Sequence, residues 1–201
     1  NLFRKFLKKN KFNVPIFKSF SEQTTALSWT EKIGYPVFIK PVDSSGSRGV
    51  SIIRKKHNFK QKFGKAMNYS FQKKIIIEKP ISRKSYQVAG DGFVVNGKLL
   101  LHCWGNEHFE KLCNGIVPIG ESFPSVHGDK LLKKARLETQ RIINLLKLKV
   151  GALNFDFVFN ENDELFFIEI GPRNGGCLIP EVIHKSTKMN LINVTVDASL
   201  G

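Results

Sequence analysis

The chain has 201 residues, of which 41% are hydrophobic and 24% are charged, a composition typical of a folded globular protein with one large core or two lobes. Its apolar runs are all shorter than the roughly 20 residues that a membrane-spanning helix requires, and no signal peptide is visible. The formal net charge of +15 favours an anionic partner. However, the basic residues are mostly lysines spread along the chain, with only seven arginines, which argues against a nucleic-acid partner and for solvated basic faces.

Three cysteines, Cys103, Cys113 and Cys177, form no C-x-x-C pair, and their odd number excludes complete pairing within the chain. We therefore expect reduced thiols and a cytoplasmic protein. Cys177, beside two glycines, is interpreted as a buried packing residue rather than a nucleophile. The five histidines show no metal-binding spacing, and the 17 phenylalanines, most of them inside apolar runs, are expected in the core.

In chain order, the hydrophobic periodicity predicts six helices and a series of short strands. The helices are expected at residues 3–10, 25–33, 59–69, 130–148, 179–187 and 190–200. The strands are expected at residues 37–39, 50–55 and 74–81, in a hairpin over 86–104 that turns at Asn96 and Gly97, and in a hairpin over 152–170 that turns at 160–163. Residues 105–128 show little pattern and are expected to be irregular. Helices that alternate with mostly antiparallel hairpins indicate an α+β protein of two lobes.

The stretch VFIKPVDSSGSRGV, residues 37–50, begins as a buried strand and continues into a turn rich in serine and glycine. Lys40 stands at the end of the apolar run. One interpretation is a hairpin at the edge of a sheet, where an exposed lysine opposes aggregation. The other is a phosphate clamp, because glycine and serine let backbone N–H groups approach an oxyanion closely while Lys40 supplies positive charge.

Two carboxylates interrupt the apolar strands of the second hairpin, Asp156 in LNFDFVF and Glu169 in LFFIEIGPR. An isolated charge inside an apolar strand is unfavourable unless a cation or a hydrogen-bond donor compensates it. Pairing across the turn at 160–163 makes the two residues near neighbours, on the same face or on opposite faces of the sheet according to the register. A pair of carboxylates suits Mg²⁺, which prefers hard oxygen ligands. The alternative is that one of them forms a structural ion pair with a residue such as Arg173.

A third motif, IIIEKPI, is an apolar strand that runs into Glu78 and Lys79, and by itself it is simply a strand that leaves the core. Together with Lys40, the Ser/Gly loop, Asp156 and FIEIGPRNGG, in that order and spacing, it resembles the ATP-grasp family over nearly the whole chain. The most similar group is that of carboxylate–amine ligases related to the carbamoyl phosphate synthetase large subunit. The resemblance implies an α+β ATP-grasp fold with an N-terminal lobe at residues 1–80 and a C-terminal lobe at 81–201. The α/β domain that precedes this region in most members is expected to be absent from the chain.

The resemblance also implies roles for particular residues. Lys40 would contact the nucleotide phosphates, and Arg173 would face the substrate and the transferring phosphoryl group. Asp156 and Glu169 would hold Mg²⁺, for which Mn²⁺ is an alternative. The other residues implied in ATP binding belong to the flexible loop, to the segment that joins the lobes and to the ribose site: Ser44, Ser45, Gly46, Ser47, Arg48 and Gly49; Glu78, Lys79 and Ile81; and Gln87.

Three positions depart from the family pattern. Gly171 stands where the family commonly has a metal-binding asparagine, Gln87 where many members have a ribose-binding glutamate, and Cys177 where biotin carboxylase-like enzymes have a glutamate. The basic residue that usually precedes the first helix is also missing, which favours a truncated chain.

The implied function is ATP-dependent activation of a small carboxylate as an acylphosphate, which an amine then attacks with release of ADP. A first alternative is a carboxylase that uses bicarbonate or a subunit like that of carbamoyl phosphate synthetase. A second alternative, of another class, is a module that binds nucleotide or nucleic acid without catalysis. No membrane partner is expected, and the resemblance is compatible with a homodimer.

Overall fold

The computed structural model describes residues 2–110 and 115–200, and their contacts divide the chain into two compact units. The first unit comprises Asn1–Ser82 and Phe109–Val117, and the second comprises Arg83–His108 and Pro118–Gly201. The lobe boundary between residues 80 and 81 stays a prediction. No local pattern in the sequence indicates that the segment from Phe109 is grouped with the first unit.

The first unit contains a four-stranded sheet with the spatial order β1-β4-β2-β3, in which all neighbouring strands are antiparallel. Its strands are β1 (Phe17–Phe20), β2 (Val37–Pro41), β3 (Ser51–Ile53) and β4 (Ile75–Glu78). Its helices are α1 (Leu2–Lys9), α2 (Gln23–Ile33) and α3 (Phe59–Asn68), the last preceded by a 3₁₀ turn at Lys56–Asn58. The three predicted helices and the hairpin of β2 and β3 are therefore confirmed, whereas β1 was not predicted because FKSF is short and only half apolar.

The core of the first unit follows from two periodicities. Residues of β2 alternate between buried and half-buried, so that Val37 and Ile39 face one side. Helix α3 buries Phe59, Phe63 and Ala66, which are spaced as one helical stripe. These residues and their neighbours form one hydrophobic cluster, and Gly34, with a φ of 75°, ends α2 beside it.

The second unit contains a five-stranded sheet with the spatial order β7-β6-β5-β8-β9. Its strands are β5 (Gln87–Val95), β6 (Lys98–Phe109), β7 (Pro118–Ser122), β8 (Gly151–Phe159) and β9 (Leu165–Gly171), and its helices are α4 (Asp129–Leu146), α5 (Ile179–Thr187) and α6 (Leu191–Leu200). Asn96 and Gly97 both have positive φ, 49° and 77°, as a two-residue hairpin turn requires. Both predicted hairpins and the last three predicted helices are confirmed.

The expectation that residues 105–128 are irregular was wrong. Strand β6 continues to Phe109, and a further strand, β7, occupies Pro118–Ser122. The stretch contains Gly105, Gly120 and several polar residues, so its strand pattern is not apparent from hydrophobicity. Residue Cys113 lies outside the described residues.

The two faces of this sheet differ in chemistry. One face carries aromatic rings that pack against each other, with ring centroids of Trp104 and Phe157 5.2 Å apart and those of Phe157 and Phe167 6.0 Å apart. On the other face, Phe93 and Ala152 pack with residues of α5 and α6. Because side chains alternate along a strand, this second face continues from Phe93 to Asp91 and from Ala152 to Asn154 and Asp156. The polar half of the face is where the predicted metal ligands lie.

Among the helices within residues 2–110 and 115–200, none combines the length and the apolar character needed to cross a bilayer.

Candidate functional site

Asp156 and Glu169 are brought together as predicted. They are direct partners in the pairing of β8 with β9, and a bulge follows at once between Asp156 and Phe157. Directly paired residues place their side chains on the same face of the sheet, about 5 Å apart at Cβ. Arg173, four residues after Glu169, lies 3.9 Å from it, and both side chains are more than half exposed. Such an exposed and long contact is weak, so Arg173 does not neutralise the pair.

The electrostatic state of Asp156 fits a cation site. Burial raises the pKa of the Asp156 carboxyl, the neighbouring Glu169 raises it further, and Arg173 offsets only part of the effect, so that the pKa reaches about 7. A cation placed between the two carboxylates would relieve both the burial and the repulsion. No group of three His, Cys, Asp or Glu side chains within the described ranges is arranged to hold a metal. Asp156 and Glu169 therefore suit a cation that binds two protein carboxylates and completes its coordination shell with oxygens from other groups.

Two further carboxylates, Glu107 on β6 and Glu121 on β7, were missed by the sequence reasoning. Burial raises the pKa of Glu107 to about 8, with further contributions from Asp156 and Glu121. Burial and the charge of Asp156 raise the pKa of Glu121 to about 7. The Oε2 atoms of both are buried without a hydrogen-bond partner among the described residues. The signal that could have located Glu107 is the alternation that continues from Leu101 through Cys103 and Gly105 on the same face of β6.

Asp91, in the middle of β5, lies on the same face of the sheet as Asp156 and binds the loop that carries Arg173. Its side chain is fully buried. Its carboxylate accepts hydrogen bonds from the backbone N–H of Gly175, at 2.9 and 2.7 Å, and from the side-chain amide of Asn154 at 3.0 Å. The predicted ribose ligand Gln87 lies four residues earlier on β5, opposite Glu107, and its side chain partly offsets the raised pKa of that carboxyl. Its role towards a ribose stays a prediction.

Lys40 in the first unit has a definite partner. Strand β2 lies between β4 and β3, so the interpretation of Lys40 as a residue of an edge strand was wrong. Its Nζ donates to Glu78 Oε2 at 2.7 Å, and Arg4 of α1 donates to the other oxygen at 2.8 Å. Burial alone would raise the pKa of Glu78, but Lys40 and Arg4 outweigh it and lower the pKa to about 2.

The Ser/Gly loop is a compact turn held by its own hydrogen bonds. Ser44 Oγ donates to Arg48 O at 2.8 Å, and the guanidinium of Arg48 donates to the carbonyl and hydroxyl oxygens of Ser45 at 3.2 and 3.1 Å. Gly46 and Ser47 have positive φ, 60° and 56°. Gly49, with a φ of 77°, has no room for a side chain, because a Cβ would lie 2.7 Å from Pro41 and 2.8 Å from Tyr69. The turn is confirmed, and its contact with phosphate stays a prediction.

The segment after β4 was predicted to contact adenine. The carboxylate of Glu78 is occupied by Lys40 and Arg4, and its backbone lies within β4, paired with Phe17 of β1 and Phe38 of β2. The N–H of Lys79 donates to Ile16 O at 2.9 Å, and its Nζ donates to Gly34 O at 3.2 Å. Ile81 is half-buried. The adenine contact of these three residues stays a prediction.

Comparison with known proteins identifies the family of the chain. The family described as Carbamoyl-phosphate synthase L chain, ATP binding domain, matches residues 2–176. The chain belongs to this family.

Several solved structures are similar to the chain. Biotin carboxylase from Campylobacter jejuni is 15% identical with a TM-score of 0.80, over 96% of this chain and 44% of that one. The biotin carboxylase domain of the 2-oxoglutarate carboxylase from Hydrogenobacter thermophilus is 16% identical with a TM-score of 0.81, over 98% of this chain and 44% of that one. An L-amino acid ligase from Bacillus licheniformis is 19% identical with a TM-score of 0.72, over 96% of this chain and 45% of that one. The fold is thus ATP-grasp, as predicted, and the chain spans less than half the length of these proteins.

Gly171 and Cys177 are two of the positions at which the sequence departs from the expected family pattern. Gly171 has no side chain that could serve as a third metal ligand, and a Cβ at this position would meet only the side chain of Arg173, at 3.5 Å. Cys177 is exposed and has a positive φ of 53°. The interpretation of Cys177 as a buried packing residue was therefore wrong, because the loop that carries it turns outward before α5.

Proposed function

We propose that the protein provides the ATP-grasp domain of an ADP-forming ligase, in which a small carboxylate is phosphorylated and an amine attacks the acylphosphate. A carboxylate is a poor electrophile, and attachment of a phosphoryl group supplies a good leaving group. Membership in an ATP-binding family supports the nucleotide. The observation that carries the ligase chemistry is the register pair Asp156 and Glu169, with Arg173 beside it on the next loop.

Asp156 and Glu169 are the residues that would hold Mg²⁺. A bound Mg²⁺ would neutralise charge on the transferring phosphoryl group. The raised pKa of Asp156, to about 7, supports this assignment, because the half-buried carboxylate lacks sufficient compensation from the protein itself. With Gly171 in place of a third ligand, phosphate and water oxygens would complete the coordination.

The remaining roles follow from charge and position. Arg173, whose side chain is exposed, would orient the acid and stabilise the charge that develops on the phosphoryl group. Lys40 would donate to the nucleotide phosphates, and the loop of Ser44, Ser45, Gly46, Ser47, Arg48 and Gly49 would cover them and exclude water. Glu78, Lys79 and Ile81 would contact adenine through the backbone, and Gln87 would accept from the ribose.

Product analysis tests this proposal. The protein is incubated with ATP, Mg²⁺, hydroxylamine and a panel of small carboxylic acids, and nucleotides and hydroxamates are quantified. We expect ADP and a hydroxamate in equal amounts for the true acid. AMP and pyrophosphate would show adenylation instead and would refute the acylphosphate route. Arg173→Ala should suppress hydroxamate formation more than it weakens ATP binding.

The same assay with labelled bicarbonate addresses the carboxylase alternative. Biotin carboxylase-like enzymes have a glutamate where this chain has Cys177. Because that residue is exposed and carries no carboxylate, we expect no bicarbonate-dependent formation of ADP. A stimulation by bicarbonate alone would favour the alternative.

A further inference from the structure

The loop between β9 and α5 carries Arg173 but has little packing of its own. Gly176, Cys177 and Leu178 are exposed, and the last two have positive φ of 53° and 64°. The loop therefore buries little apolar surface, and its conformation depends on a few polar tethers. Hydrogen bonds made by its backbone decide where Arg173 lies.

Asp91 supplies the deepest of these tethers. Its carboxylate receives the N–H of Gly175 on both oxygens, at 2.9 and 2.7 Å, two residues after Arg173. Bonds from an amide to an ionised carboxylate are among the stronger hydrogen bonds in proteins. Asn154, directly opposite Asp91 on β8, donates to its Oδ1 at 3.0 Å and to Gly90 O at 3.2 Å. Asn154 thus fixes the orientation of the carboxylate.

The fit around Gly175 is tight. A Cβ at this position would lie 2.9 Å from Asp91 Oδ1 and 2.9 Å from the side chain of Ile179. Real Cβ atoms do not approach that closely, so only glycine lets the loop backbone reach the buried carboxylate. The main chain on the other side of Arg173 is also fixed, because the N–H of Arg173 donates to Gly171 O at 2.9 Å.

We infer that Asp91 is a positioning residue: through its bonds to the Gly175 amide it sets the place of Arg173 beside Asp156 and Glu169. Asp91 does not itself touch a substrate in this scheme, because its side chain is fully buried. The inference rests on the proposed role of Arg173 in phosphoryl transfer. The geometry of the tether, however, is independent of the reaction.

The first test does not require activity. In ¹⁵N-labelled protein we expect slow hydrogen exchange for the Gly175 amide and a single Nε–Hε resonance for Arg173. Asp91→Asn replaces one acceptor with a donor, and we expect the exchange at Gly175 to accelerate at least about tenfold and the Arg173 resonance to move. Fast exchange at Gly175 in the unaltered protein, or an Arg173 resonance that does not respond, would overturn the inference even if no ligase activity is found.

The second test uses hydroxamate formation and a double-mutant cycle. We expect Asp91→Asn to lower kcat by about tenfold to hundredfold, as a small displacement of a catalytic group does, and to leave KM for ATP within about twofold. In the Arg173→Ala background Asp91→Asn should have no further effect on kcat. The inference would be contradicted if the losses in kcat of the two single variants multiplied in the double variant. A rise in KM for ATP of the same size as the loss in kcat would also contradict it.

A second variant protects the test against misfolding. Gly175→Ala leaves Asp91 unchanged but blocks the approach of the loop, and it should reproduce the loss in kcat and its dependence on Arg173. Thr195→Val is the matched control, because it removes a side-chain bond of the same loop, the 2.9 Å bond from Asn174 Nδ2 to Thr195 Oγ1, and leaves the backbone bonds between Gly175 and Asp91 in place. It should leave kcat within about twofold, and a loss equal to that of Gly175→Ala would contradict a specific role of Asp91. A Gly175→Ala protein that folds and retains full kcat would refute the positioning role.

Discussion

Asp156→Asn should stabilise the metal-free protein at alkaline pH. In the folded state the pKa of Asp156 is about 7, whereas its ordinary value is 3.8. Each unit of difference between the two pKa values corresponds to about 1.4 kcal/mol. The ionised carboxylate therefore destabilises the fold by up to about 4 kcal/mol above pH 7. Glu169 shares in this repulsion and can relax away from it. We therefore expect Asp156→Asn to raise the free energy of unfolding by about 2 to 4 kcal/mol at pH 8.

The sign of the pH dependence follows from the raised pKa. The folded protein binds the Asp156 proton more tightly than the unfolded chain, so stability due to this group falls as pH rises from about 4 to about 7. Below pH 4 the carboxylate is neutral in both states. The difference between the variant and the unaltered protein should therefore vanish in acid and grow towards pH 8.

Urea unfolding at several pH values, with and without Mg²⁺ and ADP, measures both effects. With Mg²⁺ and ADP the advantage of the variant should shrink by about 2.7 kcal/mol, because a ligand at 100 times its Kd adds that much to the stability of the protein that binds it. Glu161→Gln, an exposed carboxylate in the turn of the same hairpin, is the control and should stay within about 0.5 kcal/mol. If Asp156→Asn is destabilising at pH 8 without metal, the carboxylate already has a compensating partner and the cation-site argument is wrong.

Two further predictions concern the ion pairs of the first unit. Glu78→Gln should lower the free energy of unfolding by about 3 to 5 kcal/mol, because it removes the charge of the carboxylate that pairs with the buried guanidinium of Arg4. The control Glu31→Gln removes the charge of an exposed partner of Lys56 and should lower the free energy of unfolding by at most about 1 kcal/mol. In urea titrations the loss should shrink as pH falls from 4.5 towards 2, where Glu78 of the unaltered protein becomes neutral, and a loss that is the same at all pH values would point to packing instead. Lys40→Ala should keep the fold, since Arg4 still pairs with Glu78, but should weaken binding of a non-hydrolysable ATP analogue by about tenfold or more in calorimetry. Unchanged affinity would remove Lys40 from the nucleotide site.

The two hairpins of the second unit were accessible to sequence reasoning because each carries a local signal. Asn96 and Gly97 are the preferred residues for a two-residue turn, and the apolar runs on either side are long. Counting outward from the turn at 160–163 makes Asp156 and Glu169 near neighbours but does not make them direct partners. The bulge between Asp156 and Phe157 shifts the register by one residue, and this shift places Asp156 directly opposite Glu169 on the same face of the sheet.

Tertiary structure alone decided the electrostatic partners. Nothing in the sequence around Glu78 shows that Arg4, 74 residues away, and Lys40 bind the same carboxylate, because tertiary packing brings a residue of α1 and a residue of β2 to the end of β4. The same holds for Asp91 and Gly175, which are 84 residues apart.

The sequence by itself thus determined the family, the helices, the hairpins and the pair of acidic residues, since all of these depend on local periodicity, turn chemistry or motif order. Only the folded chain decided which charges are buried and which of them are neutralised. Glu107 and Glu121 lie in a stretch of weak hydrophobic pattern, yet burial and repulsion from Asp156 raise the pKa of each well above that of an ordinary glutamate. Burial and the distance between charges are properties of the packed sheet, and that is why the pKa values on this acidic face could not be predicted from the order of residues.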